Sequence, residues 1–271
     1  MEREKRNPSD AALFKGAPLA VLLGSGLDSV TDGFPIEDTI PFDEIEGLSA
    51  PTVPGHRGEL RRCVTAGRPC LYIHGRRHYY EGAIGDVRAL LGFLRRIGVA
   101  RLILTSAAGS LVRSVSPGEL VLLSDLIDTQ SRRPAGSPST REAVPRSERE
   151  AVSRRLALDA GMSRELWVAA WRAKLGLGRG SAAVCAGPVY ETPSEIKALQ
   201  ETEASVVTMS GAPEVMAANL VGIRVAMIAV VTNWAAGISS VRLRHDDVLE
   251  VARSAASSVR QLIVEFATTS G

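Results

Sequence analysis

The strongest constraint in this chain is a set of short, continuous apolar runs, each followed by glycine or a small polar residue. They are Leu19 to Leu23, Leu71 to His74, Leu102 to Thr105, Leu120 to Leu123, Ala182 to Cys185, Ser205 to Met209 and Arg224 to Thr232. A strand with one wet face alternates polar and apolar side chains, because successive side chains point to opposite faces. Runs without that alternation specify strands covered on both sides. Between several of them lie segments with helical spacing: Asp86 to Ile97, Arg164 to Leu175, Pro213 to Val221 and His245 to Phe266. The alternation predicts an α/β fold with a largely buried sheet.

A chain of 271 residues, 45% of them hydrophobic, is long and apolar enough to fill such a core, which excludes disorder as the main state. The polar segment Thr129 to Glu148 contains several prolines and no apolar period. Elements of similar character continue on both sides of it, so residues 1–271 are expected to form one domain with a polar loop at 129–148. A formal net charge of +2 is too small to imply a nucleic-acid or anionic-membrane partner. The longest apolar stretches fall short of the roughly 20 residues that cross a bilayer. The charged N-terminal segment does not read as a secretory signal. Three cysteines, Cys63, Cys70 and Cys185, without CxxC spacing match neither a disulfide framework nor a zinc knuckle. The expectation is a soluble chain of a reducing cytoplasm.

Candidate chemistry gathers where the apolar runs end. LLGSGLDS places Gly24, Ser25 and Gly26 at a strand end, where the backbone can approach an anion and the Ser25 hydroxyl can donate to a phosphate oxygen. The dinucleotide fingerprint fails, since Ser29 stands where its third glycine belongs, and no Walker loop is present. A turn without a ligand is the bland alternative. The histidines are few, and His56 in GHRG and His78 in GRRHYYEG stand close to an arginine. Arg76 offers a planar fork suited to phosphate, with His78 as a further donor. His74 reads as a strand residue.

In LILTSAAGSL the small residues Ala107, Ala108 and Gly109 offer backbone amides and room, or else a tight strand-to-helix turn. CAGPVYETPSEI places Tyr190 and Glu191 before a helix opened by Thr192 and Pro193. Glu191 then either answers the helix dipole or accepts an N–H from a ligand, with Tyr190 supplying a ring face. Ser210, beside Met209 in VVTMSGAPEV, is a phosphate hydroxyl or a helix N-cap. Asn233 in AVVTNWAAG presents donor and acceptor together, as reading a heterocycle edge requires, or is a turn residue.

Taken in order, GSGL, GHRG, GRRHYYEG, TSAAGSL, AGPVYETPSEI, VVTMSGAPEV, VVTNWAAG and RHDDVLE resemble the motifs of the trimeric, class II purine nucleoside phosphorylases, within the purine nucleoside and methylthioadenosine phosphorylase family. The resemblance runs from about residue 20 to the C-terminus, apart from the polar loop. It implies a single-domain α/β fold with a central mixed sheet flanked by helices. The activity it implies is phosphorolysis of 6-oxopurine nucleosides to free base and ribose 1-phosphate, by a cytoplasmic homotrimer. Inorganic phosphate is then the co-substrate, with no cofactor and no metal. By the same resemblance Ser25, His56, Arg76, His78, Ser210 and the backbone at Ala108 bind phosphate. Tyr80, Met209 and His245 bind ribose, while Tyr190, Glu191 and Asn233 bind the base. His78, Glu191 and Asn233 are the catalytic set.

The chain departs from the family pattern at Ser106 and Ser110, where Asn and Gly are usual, and at Asp125 to Asp128, where an Asp-His-Ile-Asn string is usual. Its polar loop also lacks the aromatic that the family sends into a neighbouring subunit's site. Two alternatives therefore accompany the main expectation: a 5′-methylthioadenosine or methylthioinosine phosphorylase, and a catalytically degenerate paralogue that binds purine nucleosides.

Overall fold

The computed structural model describes residues 16–51, 57–81, 84–130, 157–239 and 245–269. Nine strands and five α-helices alternate along it. The strands are β1 (Leu19–Leu23), β2 (Ile36–Pro41), β3 (Glu59–Thr65), β4 (Arg68–His74), β5 (Arg101–Ser110), β6 (Leu120–Asp128), β7 (Leu177–Val184), β8 (Val206–Thr208) and β9 (Arg224–Trp234). The helices are α1 (Ile84–Arg96), α2 (Ala160–Arg172), α3 (Pro193–Gln200), α4 (Ala212–Leu220) and α5 (His245–Thr269). None of the described helices is long and apolar enough to cross a membrane.

The continuous apolar runs are explained by the two layers they separate. Ala20 and Leu22 of β1 face a core shared with α1 and α4, whereas Leu19, Val21 and Leu23 face a second core shared with α2 and α5. Every residue of β1 is thus buried, as the absence of alternation requires.

All nine strands belong to one mixed sheet in the order β2-β3-β4-β1-β5-β8-β7-β6-β9, with a further β5–β9 pairing. β5 is the branch point. Its first residues pair in parallel with β1 and β9, and its last two, Gly109 and Ser110, pair antiparallel with β8. Because β9 pairs with β6, β6 with β7 and β7 with β8, these five strands close into a ring. A register shift between Ala108 and Gly109 marks where β5 turns from one neighbour to the next.

β2 and β3 were not among the apolar runs. Their exposure explains this: β2 is exposed or half-exposed along most of its length, and β3 buries only Leu60, Cys63 and Thr65. β5 also continues as a strand through Ser110, which rules out the tight strand-to-helix turn as the meaning of TSAAGS. Helix α2 begins earlier than its spacing indicates, because the Asp159 carboxylate accepts from Met162 N at 2.7 Å and caps it. It stops at Arg172, where Lys174 turns left-handed and Leu175 N reaches back to Ala170 O at 2.9 Å. The polar loop lies outside the described residues from 131 onward. Before it, Thr129 Oγ1 donates to Val184 O at 2.9 Å and Gln130 Nε2 to Cys185 O at 3.0 Å, pinning the end of β6 to β7.

Gly24 shows how tightly the strand ends are joined. A Cβ there would lie 2.8 Å from Thr105 O, a backbone atom that cannot swing aside. Gly24→Ala is expected to destabilise the fold by about 1–3 kcal/mol, read from the shift of its urea midpoint. An unchanged midpoint would mean that β1 and β5 can separate at this point.

Candidate active site

One cleft opens at the C-terminal ends of β1, β4, β5, β8 and β9, the ends where open α/β sheets bind ligands. Ser25, Arg76, His78 and Ser210 line it, and so do Tyr190, Glu191 and Asn233. Tyr80, Ala108 and Met209 also line it. The structure therefore brings ten of the predicted residues to one place. His56 lies outside the described residues. His245 heads α5, and its side chain is likewise outside them; Val248, one turn further on, reaches the cleft.

Arg76 leaves the end of β4 and is buried to 3% exposure. Its Nη2 donates to Thr105 O at 3.0 Å, and its Nε stands 3.4 Å from Glu214 Oε1. Glu214 is equally buried and has a second task, since its Oε2 accepts from Gly211 N at 3.0 Å and closes the start of α4. Burial pushes the Arg76 pKa down and Glu214 draws it back up. Thr105 completes the arrangement: its Oγ1 donates to Leu22 O at 3.0 Å and accepts from Gly24 N at 2.9 Å. One buried hydroxyl thus fixes the Gly24 turn against the strand whose carbonyl holds Arg76.

His78 stands beside this pair. Glu81 accepts from His78 N at 2.6 Å and lies 3.2 Å from its Nδ1, which orients the ring with Nε2 away from the carboxylate. Burial, then the Arg76 charge, lower the His78 pKa, against the pull of Glu81. The Tyr80 ring stacks on the imidazole with centroids 5.0 Å apart and planes within 7°.

Three other residues of the lining had two readings each. Helix α3 is closed by a reciprocal pair: Glu195 Oε2 accepts from Thr192 N at 2.7 Å, and Thr192 Oγ1 accepts from Glu195 N at 3.3 Å. Glu195 therefore serves the helix terminus, and Glu191 faces the cleft. Ser210 is not the N-cap of α4, a place taken by Gly211. Asn233 is no turn residue but part of β9. Its Oδ1 accepts from Thr232 Oγ1 at 2.8 Å and its Nδ2 donates to Trp234 O at 2.9 Å, which leaves a second amide hydrogen on Nδ2. The amide packs over Gly109, where a Cβ would stand 3.1 Å from Nδ2. Burial and then Glu191 raise the pKa of the adjacent Tyr190, keeping the phenol neutral.

Sequence reasoning missed Glu214 and Thr105. Each carried a signal: Glu214 stands at the third helical position after Gly211, and Thr105 is a polar residue closing the apolar run LIL. Among the described residues no cluster of three His, Cys, Asp or Glu side chains could hold a metal ion.

A buried guanidinium, hydroxyls, a carboxylate and a side-chain amide thus line one cleft at the C-terminal ends of the strands. Comparison with known proteins gives the chain a family. The phosphorylase superfamily profile matches residues 18–268, and the chain belongs to that family. It is 34% identical over 236 residues to purine nucleoside phosphorylase 1 of Geobacillus stearothermophilus, covering 86% of this chain and 84% of that one. It is 31% identical over 255 residues to the purine nucleoside phosphorylase of Bos taurus, covering 90% and 86%. The crystal structure of Schistosoma mansoni purine nucleoside phosphorylase in complex with adenosine matches with a TM-score of 0.77 at 28% identity, covering 94% of this chain and 92% of the other. The isoform 2 enzyme of that organism, in complex with cytosine and ribose-1-phosphate, matches with a TM-score of 0.78 at 25% identity, covering 98% and 97%.

Removing one member of a buried ion pair strands the other. Glu214→Ala is expected to cost about 3–5 kcal/mol in chemical denaturation, and Glu214→Gln less, because the amide oxygen can still accept from Gly211 N. Equal losses would assign the effect to the lost charge, and a Gln variant as stable as wild type would assign it to the helix cap alone. The His78 pKa supplies a second test. It is lowered from 6.5 in the folded state, so an acidified unfolded chain takes up this proton first. The stability owed to neutral His78 is complete above 6.5 and is lost as pH falls through the lower folded value. His78→Gln is expected to flatten the dependence of unfolding free energy on pH between about 7 and about 5. Parallel curves for variant and wild type would remove the assignment.

Proposed function

We propose that this chain catalyses phosphorolysis of 6-oxopurine nucleosides, inosine, guanosine and their deoxy forms, to the free base and (deoxy)ribose 1-phosphate. The observation that carries the reading is that one cleft is lined by a buried guanidinium and hydroxyls together with a carboxylate and a side-chain amide. Relatives named purine nucleoside phosphorylases, and Schistosoma mansoni structures titled as complexes with inosine and with guanosine, support it.

In this reading Ser25, Arg76, His78, Ser210 and the Ala108 backbone hold phosphate, joined by His56. Tyr80, Met209 and His245 hold the sugar, and Tyr190 and Glu191 hold the base. Phosphate attacks C1′ as the glycosidic bond breaks, the bonding electrons leaving with the purine. Positive charge grows on the sugar and negative charge on the base. The phosphate anion stabilises the first, and the Asn233 amide, donating to the purine, the second. Glu191 accepts the N1–H that a 6-oxopurine carries and adenine lacks, which sets the preference. Phosphate is a co-substrate and the chemistry requires no resident cofactor or metal. A cytoplasmic homotrimer belongs to the same proposal.

Incubation with inosine, guanosine, adenosine and methylthioadenosine, each with and without phosphate, tests it directly. Base release from the first two that requires phosphate is expected. Release without phosphate would indicate a hydrolase, and no release at all a binding protein. Asn233→Asp is expected to raise the adenosine-to-inosine ratio of kcat/KM by about tenfold, or ~1.4 kcal/mol. An unchanged ratio would remove Asn233 from base recognition.

A further inference from the structure

His74 is fully buried at the last position of β4, two residues before Arg76. Its two ring nitrogens are both engaged. Nδ1 lies 3.1 Å from Asp28 Oδ1, and Nε2 lies 3.3 Å from Thr31 Oγ1. Against a carboxylate, which only accepts, Nδ1 carries the proton. Asp28 and Thr31 bound the short helical turn that follows Ser25, and Thr31 Oγ1 also contacts Asp28 O at 3.3 Å.

A third segment enters the same node. Arg57 Nε stands 3.9 Å from Asp28 Oδ1, Arg61 Nη1 donates to Thr31 Oγ1 at 3.4 Å, and Arg61 Nη2 meets Glu59 Oε1 at 2.6 Å. The imidazole therefore joins the turn that carries Ser25, the strand that delivers Arg76, and the strand β3 alongside. A buried imidazole with a partner on each nitrogen has one orientation, and it transmits that orientation to both partners. None of these atoms lines the cleft.

We infer that His74 and Asp28 are positioning residues for the anion end of the cleft, setting the separation of Ser25 from Arg76 without touching the anion. The inference rests on the proposed phosphate site but not on the identity of the nucleoside. Its specific consequence is a split. Loss of the His74–Asp28 contact changes how phosphate is held and leaves the Glu191 and Asn233 end, built on β9 and the segment before α3, as it was.

The test combines direct binding with kinetics on the full chain. Inorganic phosphate is titrated calorimetrically into wild type, His74→Leu, His74→Asn and Asp28→Asn, with each variant's melting temperature measured alongside. KM for phosphate and KM for inosine are then determined separately. His74→Leu and Asp28→Asn are expected to weaken phosphate binding about tenfold with inosine KM within about twofold. His74→Asn places an amide at the Nδ1 position and is expected to restore most of the affinity. In the double variant His74→Leu/Asp28→Asn the two losses are expected not to add.

Phosphate affinity equal to wild type in folded His74→Leu would overturn the inference and leave the proposed function standing. So would equal rises in both KM values, or additive losses in the double variant. If wild type binds phosphate but cleaves no purine nucleoside, the proposed function falls and the calorimetric arm still decides the role of His74. A wild type that binds no phosphate overturns both. Should His74→Leu fail to fold, Asp28→Asn carries the same comparison from the other side of the contact.

Discussion

A guanidinium with only 3% of its surface exposed is the constraint around which this structure is arranged. Arg76 cannot lose its proton at any ordinary pH. Its charge must be met inside the protein, and the two groups that meet it come from different elements. Glu214 belongs to the first turn of α4, and the carbonyl of Thr105 to the middle of β5. Each is tied further: Glu214 closes its own helix at Gly211, and Thr105 holds the ends of β1 through Leu22 and Gly24. Where α4 begins, how far β1 runs and where β4 delivers its last side chains are all consequences of accommodating one cation. The surroundings of Arg76 are consequently fixed by the fold itself. That is the condition for electrostatic preorganisation, because the dipoles need not be turned during the reaction.

The electrostatics around Arg76 are graded. Neutral His78 adds a donor without adding a second full charge. In the proposed reading, an entering phosphate meets a donor-rich surface on which Glu214 offsets part of the Arg76 charge.

Legibility in the sequence followed burial. The strands covered on both faces announced themselves as continuous apolar runs, and the strand ends carrying Ser25, Arg76, His78, Ser210 and Asn233 were read from the same runs. β2 and β3 stayed hidden because their outer faces are polar: ELRRCVT places arginines between its buried positions and imitates a surface segment. The motif-borne residues of the cleft were legible because their chemistry is local to a few positions. For Glu214, Thr105 and His74 the sequence showed at most a local position, since the partners that give them their tasks, Arg76, Leu22 and Asp28, lie far away along the chain. That Ser210 does not cap α4 could be read only from geometry. The helix caps proved to be Thr192 with Glu195, and Gly211.

The closed course of β5, β9, β6, β7 and β8 has a mechanical meaning. A belt of paired strands has no edge at which to slip, and stretching it breaks backbone hydrogen bonds in several places at once. Asn233 rides on this belt and Ser210 lies two residues beyond it, so the belt fixes the separation of these two residues. Any accommodation falls to the parts attached from outside: the Tyr190–Glu191 segment ahead of α3 and the first turn of α5.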